Sequence, residues 1–453
     1  MAETIVALAT PTGRSGIGVI RLSGGMAVAI ARKLAVESTE LIPRHAHLAK
    51  LSDPASGEVI DEAILTFFRS PNSFTGEDVV EISCHGSPVL LRQVIDICLH
   101  NGARMAEPGE FSLRALANGR MNLAEAEAIR DLIDAQTTAS GRQAVRQMRG
   151  EFSHQLQPIK DELLDIIVVL ESALEFVEDD LPETQTKTIK DKLAKLAEEV
   201  GKIAETFQAG KLIRDGLRVA LVGRPNVGKS RLFNALLGSD RAIVTDIAGT
   251  TRDQIHERFT IGDIPISLID TAGLRQTTDT VEVIGVERSK RTMADADLVL
   301  VLLDASEELT GEDRDIFASV DEIDHLIVIN KIDKAKDQAI SNFRSQTSDS
   351  QNVSVSAKTG EGLESLKQAI VEPFAPQDIS SSGFLVTDAR HHDLLIRSKD
   401  EIAHSIELLE QKTSEEIVLI GLHNALRYLG QITGETTTED MLTRIFSTFC
   451  IGK

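Results

Sequence analysis

The strongly apolar run Leu217–Val222 passes directly into Gly223-Arg224-Pro225-Asn226-Val227-Gly228-Lys229-Ser230, which fits G-x-x-x-x-G-K-[ST]. No other feature limits the choice of fold so severely. A buried strand, a glycine-bearing turn and a helix must follow one another, because only then can backbone N–H groups wrap a phosphate at a helix N-terminus. The glycines allow close backbone approach. Lys229 reaches the outer phosphates, and the Ser230 hydroxyl is a hard oxygen ligand suited to Mg²⁺. Ile266–Ile269, Leu298–Leu303 and Leu326–Ile329 are further short apolar runs, spaced as buried parallel strands with helical connections between them. The region 215–375 is therefore predicted as an α/β domain with a mostly parallel sheet.

The rest of this region selects the nucleotide. Asp270-Thr271-Ala272-Gly273 ends the second apolar run, where an aspartate can hold the Mg²⁺ shell and a glycine N–H can sense the γ-phosphate. Asn330-Lys331-Ile332-Asp333 ends a later one. Asp333 can accept two hydrogen bonds from guanine N1 and N2, while Asn330 faces O6 and N7. Adenine offers the opposite pattern, and the buried groups left unpaired would reject it. Ser356-Ala357-Lys358 closes the base pocket through its backbone, and the polar loop Thr245-Asp246-Ile247-Ala248-Gly249-Thr250-Thr251 is suited to act as a switch over the metal. These motifs in this order predict a Ras-like G domain that binds GTP. Leu274 stands where Ras-like enzymes carry a water-orienting glutamine. A glutamate on a nearby segment, Glu282 or Glu287, is the available substitute.

At 453 residues the chain holds about three domains, at roughly 100–200 residues each. The first 120 residues alternate short β-rich runs with turns (Thr4–Ala9, Gly18–Leu22, Ala63–Phe68, Val79–Ser83) and one helical pattern from Pro88 to His100, which predicts an α+β domain. From Asn122 the spacing becomes helical, through Leu163–Phe176 and, after a break near Asp179-Asp180-Leu181-Pro182, Thr188–Phe207. It is helical again in Leu394–Leu409, Glu415–Tyr428 and Thr438–Phe446. The α/β block thus reads as an insertion into one helical domain, with segments 1–120, 121–214, 215–375 and 376–453. The 48 Lys and Arg against 70 Asp and Glu give a net charge of −22, which argues against coating nucleic acid or an anionic membrane by bulk charge. No apolar run is long enough for a transmembrane helix, the N-terminus lacks a secretory pattern, and three cysteines make no disulfide framework, so a cytoplasmic protein is expected.

Several longer motifs carry a resemblance. Asn226 within the phosphate loop, Gly249-Thr250-Thr251-Arg252-Asp253, Pro71-Asn72-Ser73-Phe74-Thr75-Gly76-Glu77-Asp78, Cys84-His85-Gly86, Pro108-Gly109-Glu110-Phe111-Ser112 and the terminal Phe449-Cys450-Ile451-Gly452-Lys453 resemble the tRNA-uridine-modification GTPases called MnmE or TrmE. The resemblance covers the whole chain. It implies potassium-stimulated GTP hydrolysis, with K⁺ on Asn226, Thr245, Ile247 and Thr250, Mg²⁺ on Ser230 and Thr251, and Glu282 orienting the attacking water. Arg231 departs from the family's usual serine or threonine, at a position whose backbone N–H serves the α-phosphate. The resemblance further implies a homodimer formed by a folate-binding N-terminal domain, with Arg21, Glu81, Arg120 and Lys453 on 5-formyltetrahydrofolate. It also implies an FAD-carrying partner of the MnmG or GidA type, which together with this chain adds an aminomethyl or carboxymethylaminomethyl group at carbon 5 of the wobble uridine of certain tRNAs. A ribosome-assembly GTPase binding rRNA is the competing reading. It shares the nucleotide motifs but pairs them with a basic RNA-binding module or a second G domain.

Overall fold

A computed structural model describes residues 3–36, 40–175, 183–239, 256–270, 296–321, 323–335, 351–374 and 383–452. The chain divides into two compact units, Met1–Ile133 with Arg146–Leu193 and Glu401–Lys453, and Asp134–Val145 with Ala194–Asp400. No helix among the described residues is long and apolar enough to cross a membrane.

The first unit contains a six-stranded sheet built from β1 (Ile5–Leu8), β2 (Ser15–Ser23), β3 (Ala46–Ser52), β4 (Val59–Phe68), β5 (Val79–Gly86) and β6 (Arg104–Met105), in the order β3-β4-β5-β2-β1-β6. Every pairing is antiparallel except β1 with β6. Period-two alternation decides which side is covered. On β5, Val80, Ile82 and Cys84 join Ile20, Leu22, Leu51 and Leu65 in a core capped by Ile30 and Leu34 of the helix Ala27–Leu34 and by Leu91 and Val94 of Pro88–His100. The intervening Glu81, Ser83 and His85 therefore project from the opposite face. The helix starts and stops as the sequence predicts, with Pro88 at its first turn and Asn101-Gly102 beyond its end.

The helices of this unit pair through charge as well as apolar contact. Glu151–Glu175 runs antiparallel to Glu415–Thr433, since Lys160 meets Glu435 at one end and His423 Nε2 lies 3.1 Å from Glu171 Oε1 towards the other.

The second unit holds the other six-stranded sheet: β7 (Leu217–Val222), β8 (His256–Ile261), β9 (Ile264–Asp270), β10 (Leu298–Asp304), β11 (His325–Asn330) and β12 (Asn352–Ser354), ordered β12-β11-β10-β7-β9-β8. Only β8 is antiparallel to its neighbour. Both faces are covered, so the central β10 is buried at every position. Parallel direction has a functional consequence. The segments after β7, β9, β10, β11 and β12 all emerge at one edge, where α/β sheets bind ligands. In register, Asp304 stands beside Asn330 and Leu221 beside Asp270.

Candidate functional site

The loop after β7 takes a shape that its glycines make possible. Gly223 has φ 154°, and a Cβ there would lie 2.7 Å from the Leu302 carbonyl oxygen. Gly228 has φ 103°, and a Cβ would collide with the Asn330 amide nitrogen. Asn226 is left-handed at φ 67°. Lys229 Nζ donates to the carbonyls of Gly223 (2.6 Å) and Arg224 (2.8 Å), folding its charge over the loop. Arg224 is tied outward, its Nε 2.8 Å from Asp313 Oδ1. Asp313 is buried and caps the helix Gly311–Val320 with Thr310. Val227 is buried in the sheet's core. Ser230 and Arg231 are exposed in the first turn of Lys229–Ser239, where the helix N-terminus favours negative charge.

The base-side residues form one connected set. Asn330 is only 1% exposed, and its amide spans two loops: Nδ2 donates to the Val227 carbonyl (2.9 Å) and Oδ1 accepts from the Ala357 N–H (3.1 Å). The side chain expected to face guanine O6 and N7 thus also fastens the phosphate loop to the 356–358 segment. Lys331, left-handed at φ 63°, donates to the Asn226 carbonyl (2.7 Å) and to Asp304 Oδ2 (2.6 Å). Burial pushes the Asp304 carboxyl up, but the bonds from Lys331 and Ser306 outweigh it and hold the group below the usual carboxylate range. Asp333 is exposed, and its Oδ1 accepts from the buried Ser356 hydroxyl at 2.7 Å, which lowers its pKa and fixes the carboxylate's position. Lys358 is exposed beside it in sequence. Asp304 and Asp313 were not singled out from the sequence. Their signal was an acidic residue ending an apolar strand and a Thr-x-x-Asp helix start.

On the face of the first unit's sheet opposite the two helices, Arg21 and Glu81 lie directly across from one another in β2 and β5. Arg21 Nη2 and Nε reach Glu81 Oε1 at 2.7 and 3.0 Å, Nη1 donates to the Gly452 carbonyl at 3.4 Å, and the guanidinium carbon lies 5.5 and 5.8 Å from the centres of the Phe74 and Phe111 rings. The carboxy-terminal segment is locked here. Ile451 bridges Pro108, and Gly452 at φ 97° packs so tightly on the Leu8 carbonyl that a Cβ would collide. Arg120 is exposed, with its aliphatic stem against Gly76 in the loop that carries Phe74. Cys450 is exposed, whereas Cys84 and Cys98 are buried and burial pushes both thiols up to about 12, which leaves them inert. His85 is exposed as well, with Nδ1 2.7 Å from Asp61 Oδ1.

Beside this cluster a partly buried charge network joins two of the longer motifs. Glu110 receives Arg104 (2.6 and 2.8 Å), Arg114 (2.8 Å) and the Glu107 N–H (2.9 Å). Arg114 also donates to Glu77, which accepts the Ser23 hydroxyl. Burial pushes the Glu110 carboxyl up, but the hydrogen bonds from Arg104, Glu107 and Arg114 prevail and hold it at about 2, against an ordinary 4.5. A depressed carboxyl stabilises the fold fully above its unfolded pKa, and that stability is lost as pH falls from about 4.5 through 2. Glu110→Gln is expected to cost about 3 kcal/mol at neutral pH, because Arg104 and Arg114 lose the carboxylate they share and keep only Glu3 and Glu77. It should also flatten the acid limb of stability. Urea titrations between pH 7 and 3 check both effects.

The remaining candidate positions, Thr245, Asp246, Ile247, Ala248, Gly249, Thr250, Thr251, Thr271, Ala272, Gly273, Glu282 and Lys453, lie outside the described residues, and only the backbone of Asp270 is described, as the end of β9.

Comparison with known proteins agrees with this arrangement. Residues 4–120 match the family description "GTP-binding protein TrmE N-terminus", and residues 123–450 match "MnmE helical domain". Over 454 aligned residues the chain is 43% identical to the tRNA modification GTPase MnmE of Aquifex aeolicus (strain VF5), covering 100% of both chains. Over 456 residues it is 46% identical to that of Koribacter versatilis (strain Ellin345), covering 100% of this chain and 99% of the relative. On these full-length matches, the chain belongs to the MnmE family of tRNA modification GTPases.

Proposed function

We propose that this protein is a GTPase acting in modification of the wobble uridine of certain tRNAs at carbon 5. The observation that carries the reading is the meeting, at one edge of the parallel sheet, of the Gly223–Ser230 loop with Asn330, Asp333 and Ser356–Lys358, tied together through the Asn330 amide. Lys229 neutralises the outer phosphates, and Arg231 offers its backbone N–H to the α-phosphate. Asp333 selects guanine, and Glu282 orients the attacking water. The Ser230 hydroxyl is the hard oxygen that Mg²⁺ prefers, and Ser230, Thr251 and Asp270 would hold the ion, which would supply positive charge to the phosphates. K⁺ sits on Asn226, Thr245, Ile247 and Thr250, and when bound it supplies positive charge beside the phosphates, where charge builds up during transfer. Asp246, Ala248, Gly249, Thr271, Ala272 and Gly273 line the same nucleotide site.

Arg21, Glu81, Arg120 and Lys453 hold 5-formyltetrahydrofolate or a related tetrahydrofolate. The Arg21–Glu81 pair, beside the half-buried Phe74 ring, offers donors and an acceptor to a pterin ring and to the carboxylates of a folate's glutamate tail. The chain works as a cytoplasmic homodimer with an FAD-carrying MnmG-type partner, and its parts are 1–120, 121–214, 215–375 and 376–453. A net charge of −22 confines tRNA to a local basic patch or to the partner subunit. GTP hydrolysis is expected to be at least about tenfold faster in potassium than in sodium at equal ionic strength, since one electrostatic group at the phosphates is worth this much or more. Equal rates would remove the cation site from the account.

A further inference from the structure

Two stretches of chain connect the nucleotide-binding sheet to helical segments of the second unit: the helix Phe207–Asp215 ahead of β7 and the segment 383–388 leading into the helix Ala389–Glu410. Adjacent residues of the first stretch serve different cores. Leu212 is buried with Leu217, Ile264 and Ile266 of the sheet, whereas Ile213 is buried with Ala139 and Leu385. At the next residue, Arg214 Nη1 donates to Asp388 Oδ2 (2.8 Å) and to the Thr387 carbonyl (3.3 Å). Upstream, a Cβ on Gly210 would collide with the Val386 carbonyl oxygen, the Val386 N–H donates to Thr206 Oγ1 (3.0 Å), and Phe207 stacks on the His392 ring at 4.3 Å. Asp388 also accepts the Arg390 N–H at 2.8 Å, starting the next helix. Burial pushes its carboxyl up, but the neighbouring His391 and Arg214 hold it well below the usual range.

Two independent tethers would let an inserted domain shift without informing its host. These two are riveted together along the nine-residue helix Phe207–Asp215, by contacts that none of the proposed phosphate or base ligands makes. We infer that Arg214, Asp388 and the close approach at Gly210 are positioning residues that make both connections of the nucleotide-binding domain move as one, transmitting the hydrolysis state of the phosphate loop to the helical segments. Coupling requires an element whose arrangement both sites bias, and a packed helix facing two cores with a half-buried ion pair beside it can be such an element. The inference rests on the proposed role of GTP hydrolysis in tRNA modification.

The test uses the full chain with Arg214→Ala, Asp388→Asn and Gly210→Ala. Each variant is expected to hydrolyse GTP like wild type while wobble-uridine modification in the reconstituted system slows about tenfold or more. Modification at the wild-type rate overturns the inference. So does hydrolysis falling in step with modification, which would report damage to the nucleotide site. Hydrogen exchange gives a readout independent of tRNA chemistry. Protection of amides 207–215 is expected to differ between GDP and GDP–aluminium fluoride in wild type and to lose that difference in the variants. An unchanged difference in the variants contradicts the joint, even if wild type proved inactive on tRNA, an outcome that would count against the proposed function instead.

Discussion

Asp333→Asn is expected to lower GTP affinity on the order of a thousandfold and to create affinity for xanthosine triphosphate. The carboxylate is presented by the turn after β11, with Ser356 Oγ 2.7 Å from Oδ1 holding its rotamer. Its remaining lone pairs can accept the guanine N1–H and the 2-amino group together, a charge-assisted pair of bonds. An asparagine replaces one acceptor with an NH₂ donor and removes the charge. Against guanine that places donor against donor. Xanthine carries a carbonyl at position 2 and turns the clash into a bond. Competition binding with GTP and xanthosine triphosphate reads the switch directly. If the variant keeps wild-type GTP affinity and gains nothing for the xanthine nucleotide, Asp333 does not read the base.

Lys229→Ala is expected to slow single-turnover GTP hydrolysis on the order of a thousandfold. In the structure its ammonium group bonds the Gly223 and Arg224 carbonyls at the mouth of the loop, already aimed at the space the loop encloses. Phosphoryl transfer asks little of the protein beyond position and charge, so removing this charge removes a large share of what the site supplies. Val227 stays in the core, and Asn330 still holds the loop through the Val227 carbonyl, so the fold should survive the change. Hydrolysis at more than about a tenth of the wild-type rate would mean that the charge at the phosphates comes from elsewhere.

How much of this could be read from residues alone depended on whether the signal was local. β7 and the helix Pro88–His100 were legible to the residue, because an apolar run entering a glycine loop and a Pro-start, Asn-Gly-stop helix are complete within a short window. β3 was not. Its alternation is broken by Leu48, 72% exposed on the opposite face, while the small Ala49 and Leu51 face the core. β8 carries charged and polar residues beside its antiparallel partner, and β12 is three residues long, too short for any period. The nucleotide motifs were legible as a set, but their cross-bracing was not. Asn330 and Val227 are 103 residues apart, and nothing in either motif shows that the amide is spent on a neighbouring loop. The same holds for Arg21 and Glu81. The resemblance named both as folate contacts, whereas their mutual ion pair is a matter of register between β2 and β5. Charge pairing set by strand register, like the clamp between Arg214 and Asp388, is a property of the folded chain and leaves no periodic trace.

The central claim is that GTP turnover at this loop serves tRNA wobble-uridine modification. Mass spectrometry of tRNA nucleosides from a strain lacking the gene, complemented with wild type or with Lys229→Ala, tests it most directly. The account predicts that the 5-substituted wobble uridine disappears in the deletion, returns with wild type and fails to return with the variant. A modified uridine that persists unchanged in the deletion strain would contradict it.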